Sequence, residues 1–330
     1  MITIRRAEMD DIPNIMRFID EHWKKGHILA RDREFFEWQF VDDEEVNVYI
    51  GVDVENGVIY GMEGTIRYNR TDNPDVSGSV WKTIRSENAF LGTEIEEYLV
   101  KDLNVRYGCS AGMSRRALKI YQALGYNTCS MDHYYRLGDW SEYHIAKVKH
   151  KMIPPHGVGQ YDLEPFDSLE EMKKIISETD LKNGVMSKDY YYIEKRYFRH
   201  PIYRYEFWKV VNECGISNSV IVTRDEWVEN NRVCKIVDFY GCVEDLSHIT
   251  GAIDKLIQER RYEYVDIYSF GVSVDIYERA GFVRCDSDHV NIIPNYFHPF
   301  EQRNVELMLV DPMAEGLRLF RGDGDQDRPN

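Results

Sequence analysis

The chain has 330 residues, of which 43% are hydrophobic and 13% aromatic, which excludes a disordered polypeptide and leaves room for about two domains of ~150 residues. Asp and Glu number 57 against 41 Lys and Arg, and a formal net charge of −16 makes the chain a poor general partner for nucleic-acid backbones or anionic membrane surfaces. No apolar run approaches the ~18 residues of a membrane span, and the opening MITIRRAEMDDIP lacks an apolar signal segment, so a cytoplasmic protein is expected.

In chain order, Ile2 and Ile4 alternate as a strand, and Asp10 or Asp11 caps a helix that tolerates Pro13 in its first turn. Ile12, Ile15, Met16, Ile19 and Trp23 recur at helical spacing, and a second helix fits Arg33–Phe40. Val46–Val52 alternates, Asn56-Gly57 is a turn dipeptide and Val58–Tyr60 begins a return strand. A strand fits Ser79–Arg85, a helix Thr93–Asp102, a short strand Val105–Ser110 and a helix Ser114–Leu124, ended by Gly125. Tyr126–Leu137 closes this half as a strand.

Residues 141–165, with Pro154-Pro155, Gly157 and Gly159, hold no sustained period and read as a linker. The order then repeats. Leu169, Met172, Ile175 and Ile176 mark a helix, and Asp189–Phe198 stands where Arg33–Phe40 stood. Strands at Tyr203–Val211, Ser219–Thr223 and Val233–Tyr240 precede a helix over Leu246–Gln258, a strand at Glu263–Tyr268 and a short helix at Ser273–Ala280. Tyr121-x-x-x-Gly125-Tyr126-x-x-Cys129 aligns with Tyr277-x-x-x-Gly281-Phe282-x-x-Cys285, which points to two copies of one fold. The expected divisions are 1–140, a linker at 141–164, a second domain at 165–310 and a tail at 311–330.

The six cysteines form no Cys-x-x-Cys pair and read as reduced thiols rather than a zinc site. Asp323-Gly324-Asp325-Gln326-Asp327 alternates acidic groups like part of a calcium loop but lacks the downstream Glu, so no metal is expected. Dinucleotide, Walker, zincin and nucleophile-elbow motifs are absent from the sequence.

This element order, closing in Ala117-Leu118-Lys119-Ile120-Tyr121-Gln122-Ala123-Leu124-Gly125-Tyr126, resembles the GCN5-related N-acetyltransferase (GNAT) family, over residues 1–140 and more weakly over 165–310. The run from Trp38-Gln39 through the hairpin to Met131–Leu137 looks more narrowly like acetyltransferases of bacterial surface-polysaccharide and amino-sugar pathways. The resemblance implies an α/β fold with a mixed sheet, built as two tandem GNAT-like domains, the second degenerate. It implies acetyl-CoA or a related acyl-CoA as cofactor, its pantetheine arm in a cleft between the fourth and fifth strands. The pyrophosphate would sit at the start of the next helix, usually on Arg/Gln-x-x-Gly-x-Gly/Ala. The matching stretch here is Glu87–Thr93, where only Gly92 survives and no Arg or Gln leads. Asn88 can supply a donor, Thr93 a hydroxyl, and Phe90 and Leu91 complete the turn. A backbone N–H near Thr83, Ile84 or Arg85 would hold the oxyanion.

By the same resemblance Tyr121 would protonate the departing thiolate, since a hydroxyl of pKa ~10 stays protonated until that charge forms. Tyr277, its counterpart, reads as structural. Candidate bases are Glu63, flanked by Gly61 and Gly64 on the strand after the hairpin, and His133. The implied reaction is acyl transfer to the amine of a small molecule, an amino-sugar intermediate or nucleotide sugar by the narrower likeness. Two alternatives stand beside it: an aminoacyl-tRNA-dependent peptidyl transferase of tandem GNAT type, and a non-catalytic GNAT-fold scaffold or sensor. Arg115-Arg116 is a candidate phosphate contact, and Asn291–Phe300 a candidate acceptor loop.

Overall fold

The computed structural model describes residues 1–155, 161–285, 290–310 and 315–329. Gly157, Gly159 and Asn330 lie outside the described residues. The chain divides into two compact units that interleave along the sequence: residues 1–111, 186–202 and 328–330 form unit 1, and residues 112–185 and 203–327 form unit 2.

Unit 1 is a five-stranded sheet with helices on both faces. Strand β1 (Ile2–Arg6) leads into α1 (Ile12–Phe18), whose entry is fixed by a reciprocal cap between Glu8 and Asp11 and by Arg5, which donates twice to Asp11. Helix α2 (Arg33–Phe40) is capped by Asp32, which accepts from the Phe35 N–H. Strands β2 (Val48–Asp53) and β3 (Ile59–Arg67) form the hairpin, with Gly57 at φ 70° in the turn. Strand β4 (Asp75–Thr83) begins four residues earlier than its pattern suggested, because Asp75 and Val76 pair with β5 (Tyr107–Gly108). Between them runs α3 (Leu91–Asp102), which buries Leu91, Ile95 and Leu99 against Tyr49 and Val76. Strand order is β1-β2-β3-β4-β5, antiparallel except at the parallel β4–β5 pair. On the opposite face Ile12, Ile15, Phe35, Phe36 and Phe40 pack on Val48, Ile50, Met62 and Val80. Asp189–Phe198, read in the sequence as a second-half element, lies in unit 1, where the Trp38 indole donates to the Lys195 carbonyl at 2.9 Å. Asp75, fully buried, ties that segment down by accepting from the Ser187 N–H at 2.7 Å and from Arg106.

Unit 2 contains α4 (Arg115–Ala123), β6 (Thr128–Ser130), β7 (Asp132–Leu137), β8 (Asp162–Phe166) and α5 (Leu169–Ile175). It continues with β9 (Glu206–Val211), β10 (Ser217–Val228), β11 (Asn231–Gly241), α6 (Thr250–Arg260) and β12 (Tyr262–Phe270). The end of the unit holds α7 (Val274–Arg279), β13 (Val283–Arg284), β14 (Met308–Val310) and β15 (Leu319–Phe320). Strand order is β8-β9-β10-β11-β12-β7-β13, with β15 on β12. The linker expectation therefore needs correcting at its end, since Asp162–Phe166 is an edge strand. So does the closing strand of the first half. Tyr126–Leu137 breaks at Met131, and β7 runs antiparallel between β12 and β13 from Asp132↔Ser269 to Leu137↔Tyr264.

The repeated Tyr-x-x-x-Gly-aromatic step is one structure built twice. Gly125 (φ 90°) and Gly281 (φ 67°) both adopt the left-handed conformation that ends a helix. The Tyr126 N–H reaches the Tyr121 carbonyl at 3.0 Å, and the Phe282 N–H reaches the Tyr277 carbonyl at 2.9 Å. In each case the following aromatic ring packs edge-on against the tyrosine.

Candidate functional site

The sheet of unit 1 opens where β4 outruns β5. The two parallel strands pair at Asp75↔Tyr107 and Val76↔Gly108, after which the Gly78 N–H turns to the Ser110 hydroxyl at 3.0 Å. Beyond Val76 the pairing with β5 ends, while the inner edge of β4 stays zipped to β3 through Gly61↔Thr83 and the Ile84 N–H to the Tyr60 carbonyl. A strand that outruns its neighbour is a template for an extended ligand. Ser79 on this strand accepts from Gln39 at 3.1 Å and from Arg328 at 3.3 Å, and the Arg328 guanidinium lies 5.4 Å above the Trp23 ring.

The helix start at the open end is α3. Phe90, exposed, is the residue before it, and no side chain caps the helix. Its first amides are therefore free of a side-chain acceptor, as an anion site requires. The other residues of the turn are engaged elsewhere. Asn88 accepts from the Phe90 N–H and donates to Glu94 at 2.6 Å, and the Thr93 hydroxyl donates back to the Phe90 carbonyl. Gly92 has a packing reason to be glycine: a Cβ there would meet the Trp81 ring at 3.3 Å and Thr83 Cγ2 at 3.4 Å. The Trp81 indole donates to the Gly92 carbonyl at 3.1 Å, which clamps the helix start to β4. Leu91 is core; Thr83 and Arg85 are exposed and Ile84 is half-buried.

Glu63 sits on β3 opposite Tyr49 and Trp81 and is only 4% exposed. One carboxyl oxygen lies 3.5 Å from the Cβ position of Gly78, and the other has no hydrogen-bond partner. Burial, helped by the nearby Glu96, pushes its pKa well above the ordinary glutamate range. A carboxyl of this kind holds its proton to higher pH than an exposed glutamate does.

Tyr121 and His133, which the sequence reading grouped with Glu63, lie in unit 2. Tyr121 is buried on α4 beside Tyr126. His133 is buried on β7, its Nε2 2.8 Å from Asp266 Oδ2, and Lys235 donates to the same oxygen at 2.8 Å. Burial lowers the His133 pKa against the opposing pull of Asp266, and lowers Lys235 to about 8. Burial works to raise Asp266, but Lys235 and His133 together hold it below the usual range. Sequence reasoning missed Lys235 and Asp266. The available signal was a charged residue at an inward position of an apolar strand, as in Val233-Cys234-Lys235-Ile236 and Val265-Asp266-Ile267. Tyr277 is packed in the core, stacked on Tyr134 and donating to Ser269 at 2.7 Å, as expected of a structural residue.

The corresponding parallel pair of unit 2, β11 and β12, also separates, after Ile236↔Ile267. There the chain fills the space itself. β15 pairs with β12 at Ser269↔Phe320, the Arg321 N–H reaches the Tyr268 carbonyl at 3.2 Å and the Gly322 N–H reaches the Val237 carbonyl at 2.6 Å. The acidic tail holds protein cations: Asp327 accepts from Arg224, Arg321 and Tyr205.

The overall fold is shared with solved proteins. A GCN5-related N-acetyltransferase from Anabaena variabilis ATCC 29413 superposes with a TM-score of 0.58 at 9% identity, over 94% of this chain and 72% of that one. The fold is GNAT-like. A conserved protein of unknown function from Enterococcus faecalis V583, described as a probable N-acyltransferase, superposes with a TM-score of 0.55 at 9% identity, over 94% of this chain and 72% of that one. No protein-family profile matches. In sequence, the signal recognition particle receptor FtsY of Aquifex aeolicus is 26% identical over 89 residues, 25% of this chain; the chain covers 19% of that protein's length. Among the described residues, no helix of this GNAT-like chain is long and apolar enough to cross a membrane, and no cluster of His, Cys, Asp or Glu is arranged to hold a metal ion.

Proposed function

We propose that the protein is an acyl-CoA-dependent N-acyltransferase whose acyl carrier lies along β4 of unit 1. The observation that carries this reading is that the parallel pairing of β4 with β5 ends at Val76↔Gly108 while β4 runs on to Thr83, toward the start of α3. The residues fit the group. A pantetheine arm contains amides that pair with an exposed strand edge, and its pyrophosphate suits free helix-start amides. The fit is poorer at the turn, which has no glycine cradle and carries Glu94 in the first helical turn.

Bound there, the thioester supplies an activated acyl carbonyl. A backbone N–H of β4 near Thr83–Arg85 stabilises the charge that develops on its oxygen. Glu63 is a buried ionisable group of this region, and its pKa, raised by burial, suits it to exchange a proton with the reacting amine. Tyr121, in unit 2, is proposed as the acid of the reaction on its family motif alone. The split of unit 2, occupied by β15 and Arg321–Gly322, supports a second copy that has lost its carrier site. The acceptor is proposed to be the amine of an amino sugar, on the first-half resemblance.

The test is calorimetry with acetyl-CoA joined to hydrogen exchange. Binding should protect the amides of Ser79–Thr83 and the first turn of α3, and leave Val237–Gly241 of unit 2 unchanged. Protection confined to β11 and β12 would move the site to unit 2. No heat and no protection at millimolar acetyl-CoA would favour the scaffold or sensor reading.

A further inference from the structure

Unit 2 holds an open cavity of about 880 Å³ lined by α4, the β6–β7 bend, β13 and residues 303–308. His133 forms part of its wall, 5% exposed and stacked on Tyr268 with ring centroids 3.9 Å apart. Asp266 carries the charge of the buried trio, because Lys235 and His133 both point at one of its oxygens. The imidazole therefore donates from Nε2, and a neutral ring that donates there has an unprotonated Nδ1. Asp266 thus fixes the tautomer of a ring that lines the wall, and the acceptor nitrogen of that ring is Nδ1.

The mouth presents positive charge in an otherwise acidic chain. Arg115 and Lys119 lie one turn apart on α4, and neither pairs with a carboxylate among the described residues. Arg284 is matched by Asp132 and Arg303 by Glu301, which leaves Glu306 as the unmatched lining carboxylate among the described residues. Arg115 also opens the first turn of nine-residue α4, where the helix dipole favours an anion. Leu118, Met131, Val305 and Met308 supply apolar lining to the same cavity.

We propose that this cavity is a second ligand site, for a small organic phosphate that places its phosphate at Arg115 and Lys119, its apolar body along Leu118 and Met131, and a hydroxyl or N–H on His133 Nδ1. The three features act at different points of one molecule, so neither a bare anion nor an uncharged analogue should bind as well. The inference does not rest on the acyl-transfer reading, which concerns unit 1.

The experiment uses the full chain, with AMP as probe and adenosine and inorganic phosphate as controls, followed by calorimetry and by the side-chain nitrogen resonances of His133. AMP should bind and shift the His133 Nδ1 signal, with both controls at least ~10-fold weaker. The variant K119E, at an exposed position, should weaken AMP at least ~10-fold and leave acetyl-CoA protection of β4 unchanged. The proposal is overturned if AMP gives neither heat nor a His133 shift at millimolar concentration. It is also overturned if adenosine binds as well as AMP, or if K119E binds AMP normally. Loss of acetyl-CoA binding in the unsubstituted chain, with AMP binding intact, would instead strike at the unit 1 reading alone.

Discussion

Asp327→Ala probes the buried ionic network of unit 2. Asp327 is fully buried and accepts from Arg224 at 2.7 and 3.1 Å, from Arg321 at 2.9 Å and from Tyr205 at 2.7 Å. Both guanidinium groups are themselves buried. Removing the carboxylate leaves two buried cations without their shared counter-ion, and breaking a buried pair in this way typically costs ~3–5 kcal/mol. Arg224 retains Glu226 and lies 3.8 Å above the Tyr203 ring, so the expected loss is near the lower end, about 3 kcal/mol. For a unit on the order of 200 residues that lowers the melting temperature by roughly 6–12 °C. Urea unfolding should show a lower midpoint with an unchanged slope. The loss should persist in molar salt, which screens surface pairs but not buried ones. Asp327→Asn, which keeps an acceptor oxygen but not the charge, should fall between the two proteins. A loss below about 1 kcal/mol for Asp327→Ala would refute the view that this network holds the tail in place.

Four further substitutions test other parts of the reasoning. Glu63 has a folded pKa above its unfolded value, so the stability it allows is full below the unfolded pKa near 4.5 and declines as pH rises toward the folded pKa. Glu63→Gln should remove that decline and gain on the natural protein by up to ~1.4 kcal/mol per pH unit across this window; parallel stability–pH curves would contradict it. Tyr121→Phe should lower acyl-transfer turnover about 10²-fold without changing acetyl-CoA affinity, and equal turnover would remove Tyr121 from the reaction. Gly125→Ala and Gly281→Ala both force alanine to positive φ, at ~1–2 kcal/mol. A Cβ at Gly281 would also meet Arg136 Nη1 at 2.7 Å, whereas Gly125 has open space, so the substitution at 281 should be the more destabilising in denaturant unfolding.

The sequence by itself determined what is local. Asn56-Gly57 made the hairpin, Asp32 and Ser114 started helices, and the two Tyr-x-x-x-Gly-aromatic steps ended them with the same backbone hydrogen bonds. These signals act within a few residues, so they survive being read without a fold. The place proposed for an acyl carrier was legible only as a family likeness. Its depleted turn had one glycine, and that glycine proved to serve the packing of Trp81. Tertiary structure decided the rest, since alternation shows that a segment is a strand but not which strand it joins. Asp132–Leu137 could have closed the first sheet and instead lies between β12 and β13, which carries His133 to Asp266 and away from the unit that holds Glu63. The same limit hid the tail. An acidic stretch reads as solvated or metal-binding until the fold supplies Arg224 and Arg321 from elsewhere in the chain, and only long-range packing makes a buried charge worth keeping.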